Sequence, residues 1–374
     1  LKHLITLILM AILFAGCMQK QVGLKMPEVS DDKTTIIDKF ISNDKVIQEE
    51  IIDTHTIQDT KSIIINNVDE TKADTKVAFI YPSSLLYKYA RSSINTASGY
   101  LSFIKTNYNL VVIDSVNENM DSIEQAFDKV KEEGITKVIA LYTPNAINNI
   151  NKVALENILV YLPLIEKKES LETNNNLIFG SISYEEQLKK LSYYSDGANI
   201  LFYQDTYLGN KLKNAYETVV QGTTVRKEIK KDETNFKAIV SDARLKNSFL
   251  FLNTDIVKSA LILSQLRANN IYPQMIFSTQ INFDPVLMSL TQDEDRKKLV
   301  LANSIEDVNN KLKDEIVSYG GNIIYEWVDY STLVGINYLI NGNNDFIATK
   351  IVENQAVYTP RIFKSTAYGF VEIK

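Results

Sequence analysis

Lys76–Tyr81 (KVAFIY), Leu110–Ser115 (LVVIDS) and Lys137–Tyr142 (KVIALY) decide how this chain folds. Each run is too short for a helix and nearly unbroken in its apolar residues, which predicts strands covered on both faces, as in a parallel sheet. The text between them has helical spacing. Over about Leu85 to Lys105, residues Leu86, Ala90, Ala97, Leu101 and Ile104 fall on one face. Before the third run, Asp121 and Glu124 form an expected capping box, and Ile123, Ala126, Phe127 and Val130 follow as the buried face of a helix that Gly134 ends. Strands alternating with amphipathic helices are the pattern of βαβ units.

The same pattern continues on both sides of residue 176. A helix around Ala146 to Leu155 leads to Ile158–Leu164 (ILVYLPL), which completes a first lobe. Leu177–Ile182 starts again as a strand, with Ser183 and Glu186 capping the helix that carries Leu188 and Leu191. Asn199–Tyr203, Thr224–Ile229, Phe249–Leu252 and Gln274–Ser278 follow as strands, with helices through Val220, over Phe236–Arg244 and over Asp255–Ala268. The remainder holds the apolar run Ile323–Val328, a helix over Ser331–Ile340 and short strands. A folded part of about 300 residues exceeds what one core supports. The expected fold is therefore α/β with two lobes, each a doubly wound parallel sheet flanked by helices. Lobe I takes about 76–176 plus part of 282–374; lobe II takes about 177–281 plus the remaining C-terminal segments.

Composition narrows the chemistry. Cys17 is the only cysteine, and the two histidines are His3 and His55, both outside the globular part. Ser-His-Asp and Cys-His catalysis and His- or thiolate-bound metal are excluded on that ground. No Ser-x-x-Lys motif sits where a strand passes into a helix. Without the first sixteen residues the chain has 39 basic and 46 acidic side chains. A mildly acidic chain without a basic cluster is a poor partner for nucleic acid. The reading is a binding protein, with no catalytic residues, metal or cofactor.

The beginning of the chain reads as an export signal. Lys2 is followed by the apolar run Leu4–Leu13 and by Phe14-Ala15-Gly16-Cys17, which looks like the lipobox of bacterial lipoproteins, with Phe in place of the usual Leu. An ordinary cleaved signal with an incidental cysteine is the alternative. Lipidation of Cys17 would anchor the protein to the membrane. Met18 rather than Asp after the cysteine points to the periplasmic face of the outer membrane. Residues 18–75 read as a tether, about 40 Å across as a flexible coil. Within it Ile36, Ile37, Phe40, Ile41, Ile47 and Ile51 fit either an amphipathic helix over Thr34–Ile52 or a featureless linker.

The order of elements from Lys76 to Lys374 resembles the type I periplasmic binding proteins. The densest stretches are Ile200–Ala215 (ILFYQDTYLGNKLKNA) and Asn235–Asn270. Within that superfamily the chain is most similar to the penicillin-binding-protein activator lipoproteins. They share the lipobox, the fold and an opening of the second lobe like Phe179-Gly180-Ser181-Ile182-Ser183-Tyr184-Glu185-Glu186. That resemblance implies a non-catalytic envelope protein that binds and stimulates a peptidoglycan synthase. The fold alone implies the alternative, a lipid-anchored receptor that passes an amino acid or similar small molecule to an ABC transporter.

Ligands of doubly wound sheets sit beyond the carboxyl ends of the strands, between the lobes. That rule selects Tyr81, Ser83 and Ser84 after the first strand, and Tyr142, Thr143 and Asn145 after the third. Lobe II adds Asp205, Tyr207, Thr254 and Asp255. Asp205 or Asp255 is the expected partner of an ammonium group. Thr143 and Asn145 are the side-chain donors for a carboxylate, because Pro144 removes one N–H. Thr254 and Asp255 also fit a plain helix cap.

Overall fold

The computed structural model describes residues 61–67, 73–172 and 174–373. Cys17 and the Thr34–Ile52 segment lie outside them. The chain begins with β1 (Lys61–Asn66), β2 (Thr75–Tyr81), α1 (Ser83–Phe103), β3 (Tyr108–Asp114), α2 (Met120–Glu132), β4 (Lys137–Ala140), β5 (Leu159–Leu162) and β6 (Leu177–Phe179). It continues with α3 (Tyr184–Ser192), β7 (Asn199–Gln204), α4 (Tyr207–Val219), β8 (Thr223–Ile229), β9 (Phe249–Asn253), α5 (Ile256–Ala268), β10 (Met275–Ser278) and β11 (Leu299–Asn303). It closes with α6 (Asn310–Tyr319), α7 (Trp327–Asn341), β12 (Lys350–Val352), β13 (Gln355–Val357), β14 (Arg361–Thr366) and β15 (Gly369–Ile373). Short helical turns fill several connections.

These elements build two sheets. One is eight-stranded in the order β1-β3-β2-β4-β5-β6-β13-β12, and the other seven-stranded in the order β15-β14-β11-β10-β9-β7-β8. The central strands pair in parallel, and their apolar runs are buried on both faces: Val77, Phe79 and Val112 under one layer, Ala78, Ile80 and Ile113 under the other. Antiparallel strands lie at three of the four sheet ends, with β1 on β3, β12 on β13 and β15 on β14. The two-lobed α/β architecture is the expected one.

Several details differ from the sequence reading. The segment taken as a tether contains β1, whose Ile63 and Ile65 pack on one side of the sheet and Ile64 on the other. An edge strand needs only a few such residues, and a polar surround hides them. The α2 cap is Asn119, whose Oδ1 accepts from the Ser122 N–H at 2.9 Å; Asp121 lies in the first turn. Helix formation around Ala146–Leu155 is confined to one turn, Ile147–Ile150. The run Ile323–Val328 is a turn leading into α7.

The boundary between lobes also moves. β6 pairs with β5 and β13, so Leu177–Phe179 belongs to lobe I, and the chain crosses to lobe II at Gly180–Ser183. It returns after β11, since α6 and α7 pack on α1, and crosses a third time before β14. The crossings are pinned by one cluster. Ser331 Oγ donates to the carbonyl of Gly180 at 2.9 Å, and Tyr358 Oη donates to the same oxygen at 2.5 Å. Tyr161 fits beside them only because residues 180 and 335 are glycine: a Cβ at Gly335 would lie 2.3 Å from its ring, and one at Gly180 2.4 Å. Trp327 and Tyr358 each touch the cores of both lobes.

Candidate functional site

The carboxyl edge of lobe I is filled by its own acids. Asp114, last in β3, accepts from the backbone N–H of Ser83 at 3.0 Å and of Val116 at 2.7 Å. Glu118, four residues on, reaches across to the segment after β4. Its Oε1 accepts from the Thr143 N–H at 2.5 Å and its Oε2 from the Thr143 hydroxyl at 2.6 Å. Asn149 Nδ2 donates to the Glu118 carbonyl at 3.0 Å and fixes the loop that carries it. Burial raises the Glu118 carboxyl above the usual range, and the two Thr143 donors offset part of that.

The sequence-selected residues of lobe I are placed accordingly. Thr143 lies at the edge with both donors taken by Glu118, and Asn145 is exposed beside it. Ser83 is half-buried against Asp114, and Ser84 is exposed. Tyr81 and Tyr142 are buried side chains of the two core layers, and burial pushes the Tyr142 hydroxyl far above the ordinary phenol range.

In lobe II, Thr254 is buried, with its hydroxyl 2.8 Å from that of Ser259. Asp255 is the α5 N-cap: its Oδ1 accepts from the Lys258 N–H at 2.9 Å, and its own N–H donates to Gln204 Oε1 at 3.1 Å. Asp205 is exposed, its N–H bonded to the Ile229 carbonyl. Tyr207 opens α4 and is 61% exposed. Gly209, the third residue of α4, is a packing requirement, because a Cβ there would lie 2.0 Å from the Gln204 carbonyl oxygen.

Between the lobes, a helical turn at Lys167–Glu169 projects from lobe I toward α3 and α4. Lys168 Nζ lies 3.2 Å from Glu166 Oε2 and 3.0 Å from Glu185 Oε1 of α3, and Lys211 Nζ of α4 lies 2.9 Å from Glu169 Oε1. Two cavities flank this turn. One of about 340 Å³ is lined by these charges together with Tyr184, Tyr207 and Asn210. The other, about 520 Å³, lies against the crossing segments at Ser181, Ser183, Tyr358 and Pro360. Burial raises the Glu166 carboxyl although Lys168 and Lys211 pull it down. Of the ten residues chosen from sequence, Tyr207 is the one that lines these cavities. Glu118, Glu166, Glu169 and Lys168 were missed because charged residues in polar loops and turns give no periodic signal, and Lys211 because a lysine on the polar face of a helix reads as solvated.

Among the described residues, no group of three or more His, Cys, Asp or Glu side chains could hold a metal ion, and no helix is long and apolar enough to cross a membrane.

No family model matches the sequence, and no curated protein matches it. Solved structures do match. A branched chain amino acid ABC transporter periplasmic ligand-binding protein from Burkholderia xenovorans is similar at 10% identity, over 80% of this chain and 95% of that one, with a TM-score of 0.63. The leucine binding protein LivK from Thermotoga maritima is similar at 14% identity, over 80% and 97%, with a TM-score of 0.57. The C-domain of LpoA from Haemophilus influenzae, a regulator of PBP1A, is similar at 13% identity, over 80% and 100%, with a TM-score of 0.53. At such identities the likeness is one of fold: this chain has the two-lobed type I periplasmic-binding-protein fold, which binding proteins and a regulator share.

Proposed function

We propose that this chain is a non-catalytic envelope protein, anchored through a lipid at Cys17 to the periplasmic face of the outer membrane, which binds a protein partner and regulates peptidoglycan synthesis. The observation that carries this reading is the charge pairing between the lobes. An amino-acid receptor presents unpaired donors and an acid to a zwitterion. Here the charged side chains facing the cavity between the lobes already bridge it: Lys168 with Glu185 and Lys211 with Glu169. A ligand entering there has to separate them. A protein partner can bind the outer faces of the two lobes without doing so, and the LpoA C-domain offers a regulator of the same fold.

The second reading, a lipid-anchored receptor for an amino acid or similar small molecule of an ABC transporter, is favoured by Tyr207 beside a cavity of about 340 Å³, within the usual size of a ligand pocket. In that reading the sequence assigns Asp205 or Asp255 to the ammonium group and Thr143 and Asn145 to the carboxylate, although none of the four lines that cavity. A thermal-shift screen of the full chain against amino acids, peptides and cell-wall fragments, run beside capture of a purified penicillin-binding protein, separates the two. The partner reading expects capture and no ligand shift. A shift of a few degrees with one amino acid, abolished by Asp205→Ala or Asp255→Ala, establishes the receptor instead. Cys17→Ala is expected to move the protein from the membrane fraction to the soluble fraction.

A further inference from the structure

The Glu118–Thr143 contact has the form of a ligand in its site. Both carboxylate oxygens are engaged, one by the backbone N–H and one by the hydroxyl of the same residue, at 2.5 and 2.6 Å. Such two-point, charge-assisted binding suits a planar carboxylate. It occurs at the carboxyl end of β4, the edge where an α/β sheet receives ligands. The carboxylate comes from the loop after β3, 25 residues earlier in the chain, and is held in place from behind by Asn149. Nothing in the local fold requires this arrangement: α2 has its own cap in Asn119. The hydroxyl of Thr143 would otherwise face the edge free.

We propose that Thr143 forms a carboxylate-binding site which the protein keeps filled with its own Glu118, and that withdrawing Glu118 opens the site to an external carboxylate. The contact then acts as a built-in ligand. It closes lobe I to free carboxylates and fixes the β3–α2 loop against the turn after β4. The inference stands apart from the partner reading, and it sets Glu118 in competition with the free carboxylate that the receptor reading places at Thr143.

The test is chemical rescue in the full chain. Melting temperature is measured in sodium acetate and in sodium chloride at a matched ionic strength of about 0.2 M. Wild type is expected to melt alike in the two salts. Glu118→Ala is expected to melt lower than wild type in chloride and to regain about 2 °C in acetate. The double variant Glu118→Ala/Thr143→Val is expected to lose that gain. Glycine, which adds an ammonium group, is expected to act no more strongly than acetate. If Glu118→Ala does not fold, Glu118→Ser withdraws the carboxylate in the same way while keeping a polar side chain in the loop. Equal melting of the single variant in both salts overturns the proposal, as does an acetate gain that survives loss of the Thr143 hydroxyl.

Discussion

The two lobes share an architecture, but Asp329 and Glu118 of lobe I are held differently from Asp295 and Asp242 of lobe II. In lobe I, Asp329 of α7 lies between α1 and the turn before α7. It accepts from the hydroxyls of Ser92 and Ser93 and from the Asn322 N–H, with no cation among these partners. Glu118 is likewise held by an N–H and a hydroxyl. In lobe II two half-buried acids face guanidinium groups instead: Asp295 has Arg267 at 3.3 Å, and Asp242 has Arg244 at 2.7 Å. The difference shows in protonation. Burial raises the Asp329 and Glu118 carboxyls, whereas the Arg244 hydrogen bonds bring Asp242 down to about 2. Neutral donors satisfy geometry without restoring the lost solvation of a charge; a cation does more of that work.

The largest effect that tests this contrast is expected at Asp329. Asp329→Ala strands several buried donors between α1 and α7 and is expected to cost about 3 kcal/mol in chemical denaturation. Arg267→Ala turns a lobe II acid into the lobe I kind, held by Ser264 and the Gln292 N–H alone. Because that arginine is 39% exposed, solvent screens the pair, and the expected cost is only about 1 kcal/mol. Equal losses from the two variants would break the comparison.

The smallest effect is in pH dependence. Carboxyls whose folded pKa is raised contribute stability that is present at low pH and lost as pH rises through the folded pKa. Glu118, Glu166, Glu306, Glu326 and Asp329 all shift this way. Asp242 contributes the reverse, above its unfolded pKa, and that contribution is lost as pH falls toward 2. Melting temperature is therefore expected to rise as pH drops from neutral toward the ordinary carboxyl range at about 4, and to fall again in stronger acid. Asp329→Asn should flatten the first limb and leave the second. A melting temperature that falls monotonically from pH 7 downward would contradict the assignment of lobe I.

How legible each feature was follows from the range of the interactions that make it. The strands and the Ser183 and Asp255 caps depend on neighbours within a few residues, and the sequence carries them openly. Asp329 depends on Ser93, 236 residues away, and Tyr161 on glycines at 180 and 335, so neither role has a local sign. The assignment of Leu177–Phe179 to lobe I turns on pairing with β13, at the far end of the chain. The candidate site suffered most, because it was chosen by position at strand ends. Position does not reveal that Glu118 already occupies Thr143, nor that Lys168 and Lys211 close the gap between lobes.

The three crossings between lobes also set a timetable. Lobe I lacks α6, α7 and its last two strands until residue 357 has been made, and lobe II lacks β14 until residue 366. Neither sheet is finished by a ribosome before nearly the whole chain has been synthesised. Any premature stop ahead of Arg361 therefore leaves lobe II unfinished, without the strand that pairs with β11.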